Sequence, residues 1–99
     1  MRLRILPSAL GDLDRGREFY ALHGEELGDY FLDSLIADID ALALYAGIHI
    51  QIWGFHRMLS RRFPYAIYYK VEGEICTVWR VLDCRRRPSH VWAALGEGP

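Results

Sequence analysis

Cysteine is scarce in this chain of 99 residues: Cys76 and Cys84 are the only two. They do not stand at a metal-type spacing, and no second pair exists to complete a zinc site. In a reducing compartment both read as free thiols. Cys76 falls inside an apolar run and reads as a small buried hydrophobe. Cys84 adjoins three arginines, which could lower a thiol pKa, but it has no paired base and reads as structural. No metal or cofactor is expected. Long apolar runs are missing too, and none approaches the roughly 20 residues that a membrane helix needs. The opening Met1-Arg2-Leu3-Arg4-Ile5-Leu6-Pro7 lacks the apolar stretch and small-residue cleavage site of a secretory leader. The expectation is a cytoplasmic protein with no membrane partner. Repeats and linkers are also absent, so residues 1–99 are expected to form one domain, with 96–99 a frayed tail.

What is present is enough for one core. Hydrophobic residues make up 52% of the chain, near the size at which a single domain holds without staples. The net charge is only −1, but it is unevenly spread. Residues 1–46 carry four arginines against nine carboxylates, whereas residues 47–99 carry eight Lys/Arg against four. Such an asymmetry suits an anionic partner for the second half, or an acidic helical layer that neutralises a basic sheet.

The alternation Arg2, Leu3, Arg4, Ile5 predicts a short strand. Pro7-Ser8 opens a helix that Ser8 is able to cap, and Ala9, Leu13, Gly16 and Tyr20 form its apolar stripe. Asp12 and Asp14 lie near the end where the helix dipole favours them. Gly11 and Gly16 each weaken this helix by roughly 1 kcal/mol relative to alanine, so packing must hold it. His23-Gly24 is the stop. A second helix starts at Glu25-Glu26 with the stripe Leu27, Phe31, Leu35, Ile39, Leu42 and Tyr45. Asp29, Asp33, Asp38 and Asp40 lie largely off that stripe and read as a solvated face rather than a metal or acid–base site. Two helices so closely joined should form an antiparallel hairpin laid on a sheet. Between Gly47 and His56, Ile48, Ile50 and Ile52 alternate with His49, Gln51 and Trp53 as in a strand. Residues 56–62 read as a strand leading to Phe63-Pro64, and Pro88-Ser89 begins a short terminal helix holding Val91, Trp92 and Leu95.

The stretch from Arg61 to Asp83 organises the rest. Two runs rich in Tyr, Ile, Val and Trp flank Glu72-Gly73-Glu74, predicting a β-hairpin whose three-residue break suits a G1-type bulge. Pro64 cannot donate to a ladder and marks its beginning. The predicted fold is α+β, β-α-α-β-β-β(-α). The helical hairpin packs on one face of a small, curved, mostly antiparallel sheet, and the other face is left partly open.

Arg61-Arg62-Phe63-Pro64-Tyr65, Ile67-Tyr68-Tyr69 and Val81-Leu82-Asp83-Cys84-Arg85-Arg86-Arg87-Pro88, taken in order, resemble the RelE/ParE superfamily of bacterial toxins. The resemblance is dense from Arg57 to Pro88 and architectural before that. Asp83 stands where many members have His, and Arg87 where many have Asp. The resemblance implies the toxin of a type II toxin–antitoxin module, of the plasmid-stabilisation kind, that arrests growth and is neutralised by a cognate antitoxin. Ribonuclease members cut messenger RNA on the ribosome by attack of a ribose 2′-hydroxyl on the adjacent phosphate. ParE-like members poison DNA gyrase by binding. A degenerate copy would bind only its antitoxin.

The candidate site is cationic. Arg57, Arg61, Lys70, Arg80, Arg85 and Arg87 interleave with Tyr65, Tyr68, Tyr69 and Trp79, a mixture suited to RNA or to an acidic antitoxin segment. By strand alternation Arg80 shares a face with Val78 and Leu82, either paired with a carboxylate or aimed into a groove. For the ribonuclease mode, Arg62 and Arg86 match positions where the family places arginines and could hold the phosphorane. His56, Tyr68 and Asp83, with Tyr69 and His90 behind them, could transfer protons. The ending Leu95-Gly96-Glu97-Gly98-Pro99 lacks the terminal Tyr or His-Tyr of several ribonuclease relatives, which counts against that mode.

Overall fold

The aromatic and β-branched run from 65 to 83 supplies the two strands on which the other layers rest. The computed structural model describes residues 1–97, in the order β1 (Arg2–Ile5), α1 (Pro7–Ala21), α2 (Glu25–Asp40), α3 (Leu42–Tyr45), β2 (Gln51–Ile52), β3 (Phe55–Leu59), β4 (Tyr65–Glu72), β5 (Ile75–Asp83) and α4 (Pro88–Gly96). The sheet has five strands in the order β1-β5-β4-β3-β2. β1 runs parallel to β5, and the other neighbours are antiparallel. This is the predicted α+β arrangement, with β2 and the single turn α3 added to it. Among the described residues no helix is long and apolar enough to cross a membrane. Of the expected frayed tail, Gly96 closes α4, and residues 98–99 lie outside the described ones.

The central hairpin differs from expectation at its turn. Glu72 pairs with Ile75, so the turn is Gly73-Glu74 alone, with a positive φ of 60° at Gly73. That is the two-residue pattern with glycine first, and no bulge sits there. The bulge lies inside β5: Tyr68 pairs with Arg80 and Tyr69 with Val78, which leaves Trp79 as the extra residue. One extra residue reverses the alternation of side chains. Val78 and Val81 therefore both pack under the helices, and Arg80 shares a face with Leu82 but not with Val78.

On the helix-covered face, Ala9 and Leu13 of α1 and Phe31, Leu35 and Ile39 of α2 are buried against Ile67, Tyr69, Cys76 and Val78. Burying each large apolar side chain is worth about 1.5–3 kcal/mol, which outweighs the low helix propensity of the glycines. Gly16 is also what lets the helices approach. A Cβ there would fall 2.5 Å from Cζ of Phe31. The α2 stripe continues to Leu42, but Tyr45 is exposed.

Ser8 does not cap α1. Leu6 holds the N-cap position, and Ser8 Oγ donates to the Trp79 carbonyl at 3.0 Å. The reason is that β1 stops opposite Val78, leaving the β5 edge unpaired beyond it. Two α1 side chains complete that edge: Ser8 serves the Trp79 carbonyl, and Asp12 accepts from the Val81 N–H at 2.9 Å.

The opposite sheet face is less open than the patterning suggests. Val91, Ala94 and Leu95 of α4 cover Phe55, Ala66, Tyr68 and Leu82. Trp92 points away from this contact. It is exposed and meets Trp53 edge-on, with ring centres 5.2 Å apart. Two further expectations shift. Ile48 and Ile50 lie exposed outside any strand, and the strand read over 56–62 spans Phe55–Leu59. It gives way at Ser60 because Ser60 Oγ and the Arg61 N–H both turn to Asp38 Oδ2, at 2.7 and 3.2 Å. Asp38 is thus a buried anchor rather than part of a solvated face.

Trp53 and Gly54 form the tight turn between β2 and β3, both with positive φ, at 54° and 82°. Asn-Gly is the ordinary choice for such a turn. A bulky residue in the left-handed region costs on the order of 1–2 kcal/mol. The strain at Trp53 is local to a rim residue.

Candidate functional site

Arg80 is withdrawn from the basic surface. Its Nε and Nη2 donate to Asp12 Oδ2 and Oδ1 at 2.7 and 2.8 Å, and both residues are buried. Nη1 donates to the Ala94 carbonyl at 2.9 Å and reaches Glu97 at 3.4 Å. Of the two readings open for Arg80, the paired one is observed, and the side chain offers nothing to an RNA or an antitoxin. Asp12 is the residue that sequence reasoning missed. Its signal was its place on the buried stripe, three residues after Ala9 and four before Gly16, where a carboxylate needs a partner.

The remaining candidates separate by strand alternation. Arg57 on β3 pairs with Tyr68 on β4, and both face α4. His56 faces the other way, stacked on Tyr69 with ring centres 5.0 Å apart, and its Nδ1 lies 2.7 Å from the His49 carbonyl. Tyr68 and His56 therefore stand on opposite faces of the sheet and do not converge on one reacting atom. Lys70, on the α4 face, lies over the rings of Phe55 and Trp79 at 4.6 and 5.0 Å from their centres.

The turn after β5 holds the other arginines. Arg85 grips Asp83 with its backbone N–H and with Nε at 2.8 and 2.9 Å from Oδ1, while Nη2 reaches Oδ2. Hydrogen bonds from Arg85 hold the Asp83 carboxyl below the usual carboxylate range. It is thus ionised and occupied, a poor proton donor near neutrality. Arg62 is exposed on the link between β3 and β4, as is Arg61, and Arg87 is exposed at the α4 N-cap.

Two clefts meet at Arg86. The first, of about 360 Å³, lies between α1 and the turn after β5, with Asp12, Gly16, Phe19, Tyr65 and Asp83 in its walls. Burial, seconded by the nearby Asp83 charge, pushes the Tyr65 hydroxyl up to about 12. The second, of about 310 Å³, opens on the α4 face among Trp53, Arg57, Tyr68, Cys84, Pro88 and Val91. Here Arg57 Nε donates to Tyr68 Oη at 3.1 Å, and Arg57 Nη2 points at Cys84 Sγ, 3.8 Å away. Among the described residues neither Arg57 nor Arg86 has a carboxylate partner. Desolvation raises the Cys84 thiol pKa despite Arg57, so the three neighbouring arginines do not make it a thiolate. Cys76 is buried, and burial pushes its thiol up to about 11. The second cleft was not legible as a site, because Trp53 comes from a segment that carried no motif and Cys84, although inside the closing motif, reads as structural.

Arg62 lines neither cleft, so the two arginines proposed for a phosphorane are not brought into one described cavity. Arg57, Tyr68 and Arg86 are.

A comparison with curated proteins finds no significant match. Among solved structures, the chain is similar to one described as the chromosomal ParDE TA system from P. aeruginosa, with a TM-score of 0.75 at 21% identity. The alignment covers 82% of this chain and 92% of that one. At that identity the likeness establishes the fold. A sequence model described as "ParE toxin of type II toxin-antitoxin system, parDE" matches residues 3–88. The chain belongs to the ParE toxin family of type II toxin–antitoxin systems.

Proposed function

We propose that this toxin arrests growth by binding DNA gyrase rather than by cutting messenger RNA, and that an acidic antitoxin segment neutralises it. The observation that carries the reading is the dispersal of the proton-transfer candidates. RNA cleavage through the 2′-hydroxyl needs a base and an acid on either side of one phosphate, with cations at its oxygens. His56 and Tyr68 lie on opposite sheet faces, and Asp83 is clamped by Arg85. Arg62 lies apart from the cleft that holds Arg57 and Arg86. What remains together is a set of unpaired cations and exposed aromatic rings, a surface for contact. Membership in the ParE family supports the same choice. For the antitoxin, the support is charge: the exposed arginines at 61–62 and 85–87, with partly exposed Arg57 beside them, suit an acidic partner, with burial supplying affinity and charge supplying rate.

The test is a gyrase supercoiling assay with purified toxin, alongside mapping of transcript 5′ ends in cells soon after induction. Inhibited supercoiling with intact messages is the expected result. Fresh cuts inside translated messages, with gyrase unaffected, would move the assignment to the ribonuclease mode. Growth unaffected by soluble toxin would leave only antitoxin binding.

A further inference from the structure

We infer that the cleft between α1 and the turn after β5 is a binding site for a free nucleoside monophosphate. Its phosphate sits on Arg86 and Arg15, its base lies against Phe19, and Tyr65 donates a hydrogen bond to it. The cleft is on the helix-covered side of the sheet, and its ligand is independent of which macromolecule the toxin attacks.

Three features of the cavity point to such a ligand. The first is a hydroxyl left over. Tyr65, Tyr68 and Tyr69 of β4 are all buried. Tyr68 Oη accepts from Arg57, and Tyr69 Oη is bonded to Gly47 and His49. Tyr65 is only 8% exposed, yet its hydroxyl has no hydrogen-bond partner among the described residues. Every fully enclosed side-chain oxygen and nitrogen among those residues is bonded, so this hydroxyl opens into the cleft that it lines. A polar group so placed is costly to leave without a partner. Burial keeps it protonated, and so a donor near neutrality.

The second is a surplus of positive charge. Asp12 is matched from behind by Arg80, and Asp83 by Arg85. Arg15 reaches Asp12 Oδ1 at 2.8 Å as a second cation on one carboxylate, with its side chain 64% exposed. Arg86 lines the same cleft without a carboxylate partner among the described residues. Two guanidinium groups in one cleft match a phosphate monoester, which carries more than one negative charge and three strong acceptor oxygens.

The third is an aromatic wall. Phe19 is 47% exposed and stands edge-on to Tyr20, with ring centres 5.1 Å apart. A half-exposed ring beside arginines is a stacking surface that any base can use. The cavity, about 360 Å³, lies in the range of small-molecule sites and has room for one nucleotide. A longer strand fits less well, since Asp12 and Asp83 stand in the same walls and repel a row of phosphates. Inorganic phosphate would leave Phe19 uncovered.

The experiment titrates the full-length protein with adenosine monophosphate, followed by calorimetry and by the amide NMR signals of Gly16 and Arg85. The nucleotide is expected to bind at submillimolar concentration, and adenosine and inorganic phosphate each roughly tenfold more weakly or worse. Tyr65→Phe should weaken the nucleotide roughly tenfold, the size of one hydrogen bond to a charged group. Its melting temperature should hold, because the hydroxyl has no partner to lose. Arg86→Gln should also weaken binding by roughly tenfold or more. Phe19→Leu should weaken the nucleotide but not inorganic phosphate, which reads stacking apart from charge. Arg62→Gln, outside the cleft, should change nothing. Inorganic phosphate bound as tightly as the nucleotide would overturn the proposal, as would equal losses in Arg62→Gln and Arg86→Gln. Binding unchanged in Tyr65→Phe, or no binding at millimolar nucleotide, would do the same. A phosphorylated hexaadenylate bound more tightly than the monophosphate would overturn the free nucleotide in favour of a strand end.

Discussion

Asp12 and Arg80, 68 residues apart in the chain, face each other through two parallel hydrogen bonds of 2.7 and 2.8 Å between buried side chains. The pair joins α1 to β5. Because Arg80 Nη1 also donates to the Ala94 carbonyl, the same guanidinium reaches α4 on the opposite side of the sheet. Asp12 in turn takes the Val81 N–H, the backbone donor that β1 is too short to serve. One carboxylate thus ends a sheet edge and neutralises the cation that connects three layers.

Removing either partner alone leaves a buried charge without compensation. Asp12→Asn is expected to cost about 3–5 kcal/mol in urea unfolding, with Arg80→Met of similar size. The double variant Asp12→Leu/Arg80→Met should lose clearly less than the two single losses added together, since no orphan charge remains. Additive losses would show that each residue stabilises the fold through separate contacts.

The glycines of α1 should respond to alanine in opposite directions. At Gly16 a Cβ meets the Phe31 ring at 2.5 Å, so Gly16→Ala must push α2 outward, a destabilisation of about 1–3 kcal/mol. At Gly11 the nearest atom is the far end of the Arg15 side chain at 3.3 Å, which can give way. Gly11→Ala is therefore expected to stabilise by about 0.4–1 kcal/mol through helix propensity and the unfolded chain. Melting temperatures of the two variants on either side of the parent would confirm the distinction.

These two cases show what sequence patterning carries and what it does not. The period of Ala9, Leu13 and Gly16 and the alternation through β4 disclose which faces are buried, because burial imposes those periods on composition. The same patterning put Val78 and Arg80 on one face. The bulge at Trp79, which no residue type announces, reverses the phase and moves Arg80 to the Leu82 face, from which its guanidinium bonds both Ala94 of α4 and Asp12 of α1. The length of the hairpin turn escapes patterning for a related reason: Glu72 is polar, yet it still pairs with Ile75 in the ladder. The exposed cations were legible as a class. Which of them share a cleft depends on Trp53, Cys84 and α4, contacts between segments distant in the chain that local pattern does not encode.

A pH dependence follows from the segment between α3 and β2. Buried Tyr69 accepts the Gly47 N–H at 2.9 Å, and its hydroxyl contacts His49 Nδ1 at 2.5 Å, which makes neutral His49 the acceptor. Desolvation, followed by the neighbouring His56, lowers the His49 pKa below its ordinary value of 6.5. A histidine whose folded pKa is depressed takes up its proton more readily when unfolded. The stability it contributes is present above pH 6.5 and declines as pH falls from there toward the folded value. Comparing denaturation midpoints at pH 7.5 and 5.5 should show a loss that His49→Gln reduces. An unchanged pH dependence in that variant would assign the effect to other groups.

Arg86 and Arg62 should part company in cells. Arg86 lines both clefts without a carboxylate partner among the described residues, whereas Arg62 lies on the exposed link beyond β3 and lines neither. If contact at the clefts is what arrests growth, Arg86→Ala should lose toxicity with its fold intact, and Arg62→Ala should keep most of it. Arg86→Lys retains the charge but not the planar fork, so an intermediate effect is expected where a carboxylate is gripped. The measurement is colony survival after induction, with soluble protein checked for each variant. A phosphorane held by both arginines predicts something different: each alanine variant would be as inactive as the other, and message cleavage would vanish in both. Equal and complete loss would thus overturn the contact reading in favour of the ribonuclease one, and survival differing between the two positions would support it.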